Sequence, residues 1–243
     1  MSSLPALGFG VVAASANLLG AWAVTRSARL GLRVIELLFA FAAGFMLALA
    51  LVGVVPEALR RDPETGAVVV LLGYLLVHLT QHTVTPHFHF GEETHEHEFA
   101  QRHKSWSVLL GLVIHTFFDG IAIASGFLVS TWLGWIIFVA VFLHKIPEGF
   151  TVASVMLASG RSRGLAWGSS ALLGGATLLG VLVMVITRQA VSVGLPLSAG
   201  VTIYVAASDL IPEVNREPGI RMALVVFLGV GFLFVMDHLF HVH

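Results

Sequence analysis

Apolar residues run along this chain in eight long blocks, each parted from the next by a short polar stretch. A helix that crosses a bilayer needs roughly 20 mainly apolar residues. The blocks supply that length at about 5–25, 33–56, 67–85, 106–129, 132–158, 164–187, 192–213 and 220–242. They consume almost the whole sequence, so residues 1–243 read as one transmembrane domain with no room for a soluble one. The predicted fold class is an all-α integral membrane protein of eight transmembrane helices. The first block, "MSSLPALGFGVVAASANLLGAWAV", lacks the positive start of a signal peptide and reads as a retained helix.

Composition agrees with the pattern. Charged residues make up 11% of the chain, against about 25% in soluble domains. Net charge is −1, which gives no sign of a nucleic-acid partner. Cysteine is absent. Any metal site must therefore draw on His, Asp, Glu or Met.

The polar stretches set an orientation. One set holds Arg26, Arg29 and Arg33, then Arg102 and Lys104, then Arg161 and Arg163, then Arg216 and Arg221. The other set holds only Arg60, Arg61 and Arg188. Basic residues concentrate on the inner side, so both termini are expected outside and the longest loop, 86–105, in the cytoplasm. That loop, "PHFHFGEETHEHEFAQRHK", carries His87, His89, His95, His97 and His103. His78 and His82 lie one turn apart just before it. It reads as a transient metal-collecting tract, with a solvated linker as the alternative.

The blocks also echo one another. "VPEAL" (Val55–Leu59) closes the second and "IPEVN" (Ile211–Asn215) closes the seventh, on opposite sides of the membrane. The fourth and fifth carry "HTFFD" and "HKIPE", running in opposite directions. Three helices, a central pair and three inverted helices would give this order, and transporters of such build place their site near the midplane. A coincidence of ordinary helix-end signals is the rival.

The fourth and fifth blocks hold the chemistry. His115 and Asp119 are four residues apart, as are His144 and Glu148, so each pair shares one helix face. Both pairs fall mid-segment, where an ionisable group costs several kcal/mol on insertion scales, of order 2.5–3.5 for a charge. Such groups persist when they face a cavity or a partner. Two imidazoles, two carboxylates and the Lys145 ammonium call for a divalent cation, and the donor set suits zinc, with iron(II), manganese(II) or cadmium accepted as well. Pro147 removes one backbone hydrogen bond and can kink the helix, which would open space beside Glu148.

Taken together, "HTFFDGIAIASG" and "HKIPEG" resemble the paired signature of the ZIP family of divalent-metal transporters. "FAAGFMLALALVGVVPEAL" and "IYVAASDLIPE" extend the resemblance over essentially the whole chain. It implies a metal site on His115, Asp119 and Glu148, with His144 contributing and Met46 from the second helix as a further ligand. Met46 reads equally as packing. It also implies a homodimer in the lipid bilayer. A second metal site, found in some members, needs an Asn where this chain has Thr116, an acid where it has Lys145, and a Glu on the sixth helix, which has no acid and offers only Ser169 and Ser170. One metal is therefore expected, with Lys145 standing in for the second cation; the alternative is a lysine that snorkels elsewhere.

The resulting expectation is a divalent-cation transporter of the cell membrane, with zinc as cargo and no resident cofactor. Metal would pass Glu57 and Asp62 on the outside and leave past Asp209, Glu213 and the His-rich loop. Glu57 and Glu213 read equally as solvated helix ends. Alternating access would come from helices two, four, five and seven moving against the rest, in the manner of an elevator. The competing class is an intramembrane metal-dependent hydrolase using the same cluster. Against it, the chain has no H-E-x-x-H motif and no separate general base.

Overall fold

The computed structural model describes residues 4–26, 32–83, 102–216 and 219–240. Among these the chain is helical apart from short turns, and eight helical spans are long and apolar enough to cross a membrane. We number them α1 (Leu4–Arg26), α2 (Leu32–Ala48, continuing through Leu49–Val54 and Val55–Arg61), α3 (Gly66–Thr83) and α4 (Arg102–Val129). Then follow α5 (Thr131–Ala158), α6 (Arg163–Ile186), α7 (Val191–Tyr204, continuing through Val205–Leu210 and Ile211–Val214) and α8 (Ile220–Phe240). Number and order are those the apolar blocks predict.

Two details differ from the sequence reading. The second helix was expected to stop near 56, but α2 runs on to Arg61. The stretch Leu49–Val54 is π-helical, and Pro56 falls in the first turn of the α-helix that resumes after it. A proline there lacks only a donor that a first turn does not use. The seventh helix repeats the device, with π-helix at Val205–Leu210 and Pro212 just beyond. Secondly, Pro147 lies inside α5 without ending it. The space it was expected to open beside Glu148 is filled by other side chains.

Large apolar residues such as Leu71, Phe227, Leu228 and Phe234 face outward, while alanines and the polar residues turn in. That inversion suits a chain surrounded by hydrocarbon. Small residues then set how closely helices approach. A Cβ at Gly149 would collide with the Asn17 carbonyl, and one at Gly20 with the Ile146 carbonyl, so α1 and α5 meet backbone to backbone. Gly120 and Gly180 close α4 on α6 in the same way, against the Thr177 and Phe117 carbonyls. Gly44 with Gly229 joins α2 to α8, and Gly73 with Gly200 joins α3 to α7. Phe9 of α1 stacks on Phe127 of α4 at 5.1 Å and meets Phe138 of α5 at 4.8 Å. The helices thus sort into a group of α1, α4, α5 and α6, flanked by the pairs α2–α8 and α3–α7.

A tight turn at Ser130 joins α4 to α5, with the Ser130 hydroxyl accepting from the Leu133 N–H at 3.1 Å. It sends the two helices back along each other, and this brings the polar residues of their middles together.

Candidate metal centre

The side chains of His115, Asp119, His144, Lys145 and Glu148 are all buried. His115 and Asp119 stack on one face of α4, and their facing atoms, Nε2 and Oδ2, are 3.3 Å apart. From α5, His144 Nε2 reaches the same Oδ2 at 3.2 Å. One ligand atom from each of these three residues lies within 4.8 Å of the other two, and among the described residues this is the set that could hold a metal ion.

The tautomer of His144 is fixed by its other nitrogen. Nδ1 lies 2.9 Å from the Ala140 carbonyl, which can only accept. Nδ1 therefore carries the proton, and in the neutral ring Nε2 presents a lone pair. A ring locked through Nδ1 with Nε2 free is the arrangement of a metal-ligating histidine. That nitrogen faces Asp119 Oδ2, the oxygen that the Lys145 ammonium also reaches. A cavity of about 20 Å³, lined by Met46, Asp119, His144, Ser198 and Thr202 among others, adjoins it, and such a volume holds about one water-sized particle. Met46 lines this cavity and is fully buried.

Lys145 of α5 meets the same Asp119 oxygen as the two histidines. Its Nζ is 2.6 Å from Asp119 Oδ2 and 2.6 Å from Glu148 Oε2, bridging the two carboxylates. Thr116 Oγ1 lies 2.6 Å from Glu148 Oε1 and 2.6 Å from the Leu112 carbonyl, so its single proton is shared between them. Asn17 of α1 donates from Nδ2 to Glu148 Oε2 and to the Lys145 carbonyl, both at 3.2 Å. Glu148 is therefore engaged with Lys145, Thr116 and Asn17, outside the three-residue set. On α6, Ser170 donates to the Gly149 carbonyl at 3.2 Å, and the Ser169 hydroxyl is buried without a partner.

The residues expected along a pathway are more scattered. Glu57 lines a cavity of about 750 Å³ together with Arg60, Arg61, Ser130, Trp132 and Asp237. Both arginines contact its carboxylate, Arg61 at 2.7 Å. Asp62 does not line this cavity. It accepts from the Thr65 amide at 2.9 Å and the Thr65 hydroxyl at 2.5 Å, and these bonds hold its carboxyl below the usual range. Asp209, on the π-helical part of α7, is buried and accepts from Gln81 Nε2 at 2.8 Å, while Gln81 accepts from the Tyr204 hydroxyl at 3.0 Å. Glu213 pairs with Arg216 at 3.3 Å. His78 and His82 are exposed at the end of α3, with ring centroids 4.1 Å apart. His87, His89, His95 and His97 lie outside the described residues, as does the side chain of His103.

The sequence did not single out Asn17 or Gln81. Asn17 was open to discovery: a lone carboxamide in "AASANLLG" bears the same insertion cost that singled out the histidines. Gln81 sits near a polar loop, where nothing distinguishes it.

Residues 77–237 match the family model described as "ZIP Zinc transporter". The "Zinc transporter ZIP13 homolog" of Drosophila melanogaster is 33% identical over 54% of this chain and 40% of its own length. "Zinc transporter ZIP9-B" of Xenopus laevis is 28% identical over 64% of this chain and 60% of its own. "Zinc transporter ZIP9" of Micropogonias undulatus is 31% identical over 67% and 60%. The chain spans between about 40% and 60% of the length of these relatives.

Proposed function

The chain belongs to the ZIP family of zinc transporters, and from that premise we propose that it carries zinc across a membrane through one buried site on α4 and α5. The observation that carries the reading is the convergence of His115 Nε2 and His144 Nε2 on one oxygen of Asp119. Two imidazoles and a carboxylate make a zinc ligand set with a coordination position left open. Met46 borders that position, and Glu148 is the reserve ligand. Zinc is the cargo that the relatives' names support; the donor set by itself would take other divalent metals.

Lys145 holds the charge balance. Two carboxylates buried side by side repel each other, and the bridging ammonium offsets that repulsion when no metal is present. A single metal per protomer follows, since the ammonium fills the place a second ion would need.

The moving part is the group α1, α4, α5 and α6. Backbone-close glycine contacts link α1 to α5 and α6, and α4 to α6, and pair α2 with α8 and α3 with α7, which supports this group rather than the expected two, four, five and seven. The inverted repeat is supported by register: Gly44 and Gly200, Pro56 and Pro212, and Gly73 and Gly229 are all separated by the same interval. In this arrangement metal passes Glu57 on the outer side and Asp209 and Glu213 on the inner side, delivering to the His-rich loop in the cytoplasm. Both termini lie outside the cell membrane, and the protein works as a homodimer.

A hydrolase would need room for a substrate beside the metal. The cavity at the site is about 20 Å³, whereas small-molecule pockets run to about 300–1,000 Å³. Radiozinc flux into proteoliposomes under a set pH gradient tests the choice. We expect uptake that His115→Ala and Asp119→Ala abolish. We expect it to weaken as pH falls, because a protonated imidazole cannot bind metal. Metal-dependent hydrolysis without flux would contradict the reading, and uptake rising steadily on acidification would contradict its metal-for-proton exchange at the histidines.

A further inference from the structure

We propose that the π-helical stretches of α2 and α7 each hold one open backbone carbonyl, of Leu51 and of Ala207, that accepts hydrogen bonds from the water shell of a divalent cation. They are outer-sphere stations, one on either side of the metal site. The inference rests on the transport reading and adds two binding points that no side chain supplies.

A π turn closes its hydrogen bonds five residues apart. In α2 the last such bond runs from the Val55 N–H to the Ala50 carbonyl. The next carbonyl, Leu51, would be served in this pattern by residue 56, which is Pro56 and has no N–H. The α-helix that resumes there does not need the missing donor, but the π turn before it does. The seventh helix repeats the arrangement: the Ile211 N–H reaches the Ala206 carbonyl, and Pro212 cannot serve Ala207. Ala207 follows Leu51 by the same interval that separates Pro212 from Pro56. Both carbonyls lie inside segments long and apolar enough to cross a membrane. An unpaired carbonyl is costly there, and it is tolerated where it is enclosed by protein or lines a water-filled space. That cost is borne twice, at positions the repeat relates, and π turns within α-helices gather at functional sites.

The surroundings suit a hydrated ion. Leu49, Val52, Gly53 and Pro56, from the same stretch of α2, line the cavity of about 750 Å³. At about 30 Å³ per water, an ion with about six waters fills roughly 180 Å³, so this cavity admits a cation that still holds its shell. The cavity of about 20 Å³ beside His144 does not, and water must leave the ion between the two. A carbonyl oxygen only accepts, which matches the protons of metal-bound water. Secondary transporters bind their coupling ions on unwound backbone carbonyls. The α7 station is covered by α3: Tyr74 lies 3.3 Å from Ser208 and Gln81 lies 2.8 Å from Asp209, the two residues that follow Ala207. The outer station is thus open while the inner one is covered.

The test uses the full-length protein in proteoliposomes, with radiozinc as cargo and hexaamminecobalt(III) as the probe. That complex mimics a hydrated cation but keeps its ligands, so it can occupy an outer-sphere station and not the histidine site. It is expected to inhibit zinc uptake by wild type. Pro56→Ala gives the Leu51 carbonyl an N–H and should weaken that inhibition about tenfold, the scale of one hydrogen bond to a charged group. Zinc affinity of the purified variant, from calorimetric competition with a chelator, should stay within about twofold of wild type, a shift well below one such bond. The hydroxy-acid analogue of alanine at position 56 removes the proline ring without adding an N–H, and should be inhibited as wild type is. Pro212→Ala should lower the maximal rate at unchanged KM, because it acts on release. The inference is overturned, with the metal site left standing, by wild-type uptake that ignores the complex or by Pro56→Ala as sensitive as wild type. Equal loss of sensitivity in Pro56→Ala and the hydroxy-acid variant, or a wild-type rate in Pro212→Ala, overturns it as well. Wild type that carries no zinc overturns the transport reading itself.

Discussion

Lys145 sets the charge balance of the buried cluster. An ammonium looks out of place in a cation pathway, yet it lies 2.6 Å from each of two buried carboxylates. Removing one partner of a buried ion pair costs on the order of 3–5 kcal/mol, because a charge is left uncompensated. Lys145→Met should therefore lower the melting temperature of the metal-free protein. Zinc should restore more stability to the variant than to wild type, since the ion supplies the missing charge and ligand binding stabilises by mass action. Equal zinc-induced shifts in the two proteins would show that Lys145 and zinc do not substitute for each other. The polar centre was legible because burying charge in an apolar segment demands a reason, and the four-residue spacing placed each pair on one face. What stayed hidden was the allocation of partners. Spacing cannot show that His144 turns its Nε2 to Asp119 across the helix pair, nor that Glu148 turns to Thr116 and Asn17 as well as to Lys145.

At the scale of elements, the apolar blocks predicted eight helices, their order and most of their ends. They could not predict the π-helical stretches Leu49–Val54 and Val205–Leu210. Apolar periodicity barely changes when one residue is added to a turn, and only the prolines that follow hint at it. The partners of each helix were hidden too, because glycine in a membrane segment reports close approach without saying to what. The contact of α1 with α5 is the one that bears on the site. Gly149→Val should push α1 away and carry Asn17 with it, since the added side chain meets the Asn17 carbonyl. Overpacking of this kind costs about 1–3 kcal/mol or more. The variant is expected to melt earlier than wild type. Unchanged stability would refute the backbone contact.

The whole molecule is asymmetric end to end. At one end, a cavity of about 750 Å³ opens beside Glu57, Ser130 and Asp237. At the other, Asp209, Gln81 and Tyr204 are joined in a chain of hydrogen bonds, and Tyr74 lies 3.3 Å from Ser208 through its hydroxyl. A protein that alternates should exchange these conditions. The absence of cysteine makes single-cysteine labelling clean. Ser130→Cys is expected to react readily with a polar maleimide, and Ser208→Cys slowly, with zinc and turnover narrowing the difference. Labelling that ignores zinc at both positions would argue for a fixed molecule.

One zinc ion is expected to rest on His115, Asp119 and His144 between α4 and α5. X-ray absorption at the zinc edge, with metal counting on the purified protein, addresses it directly. We expect one zinc per protomer, bound by two imidazoles and oxygen donors, and loss of the imidazole signal in proportion when either histidine becomes alanine. Two zinc ions per protomer, or a coordination shell without imidazole, would contradict it.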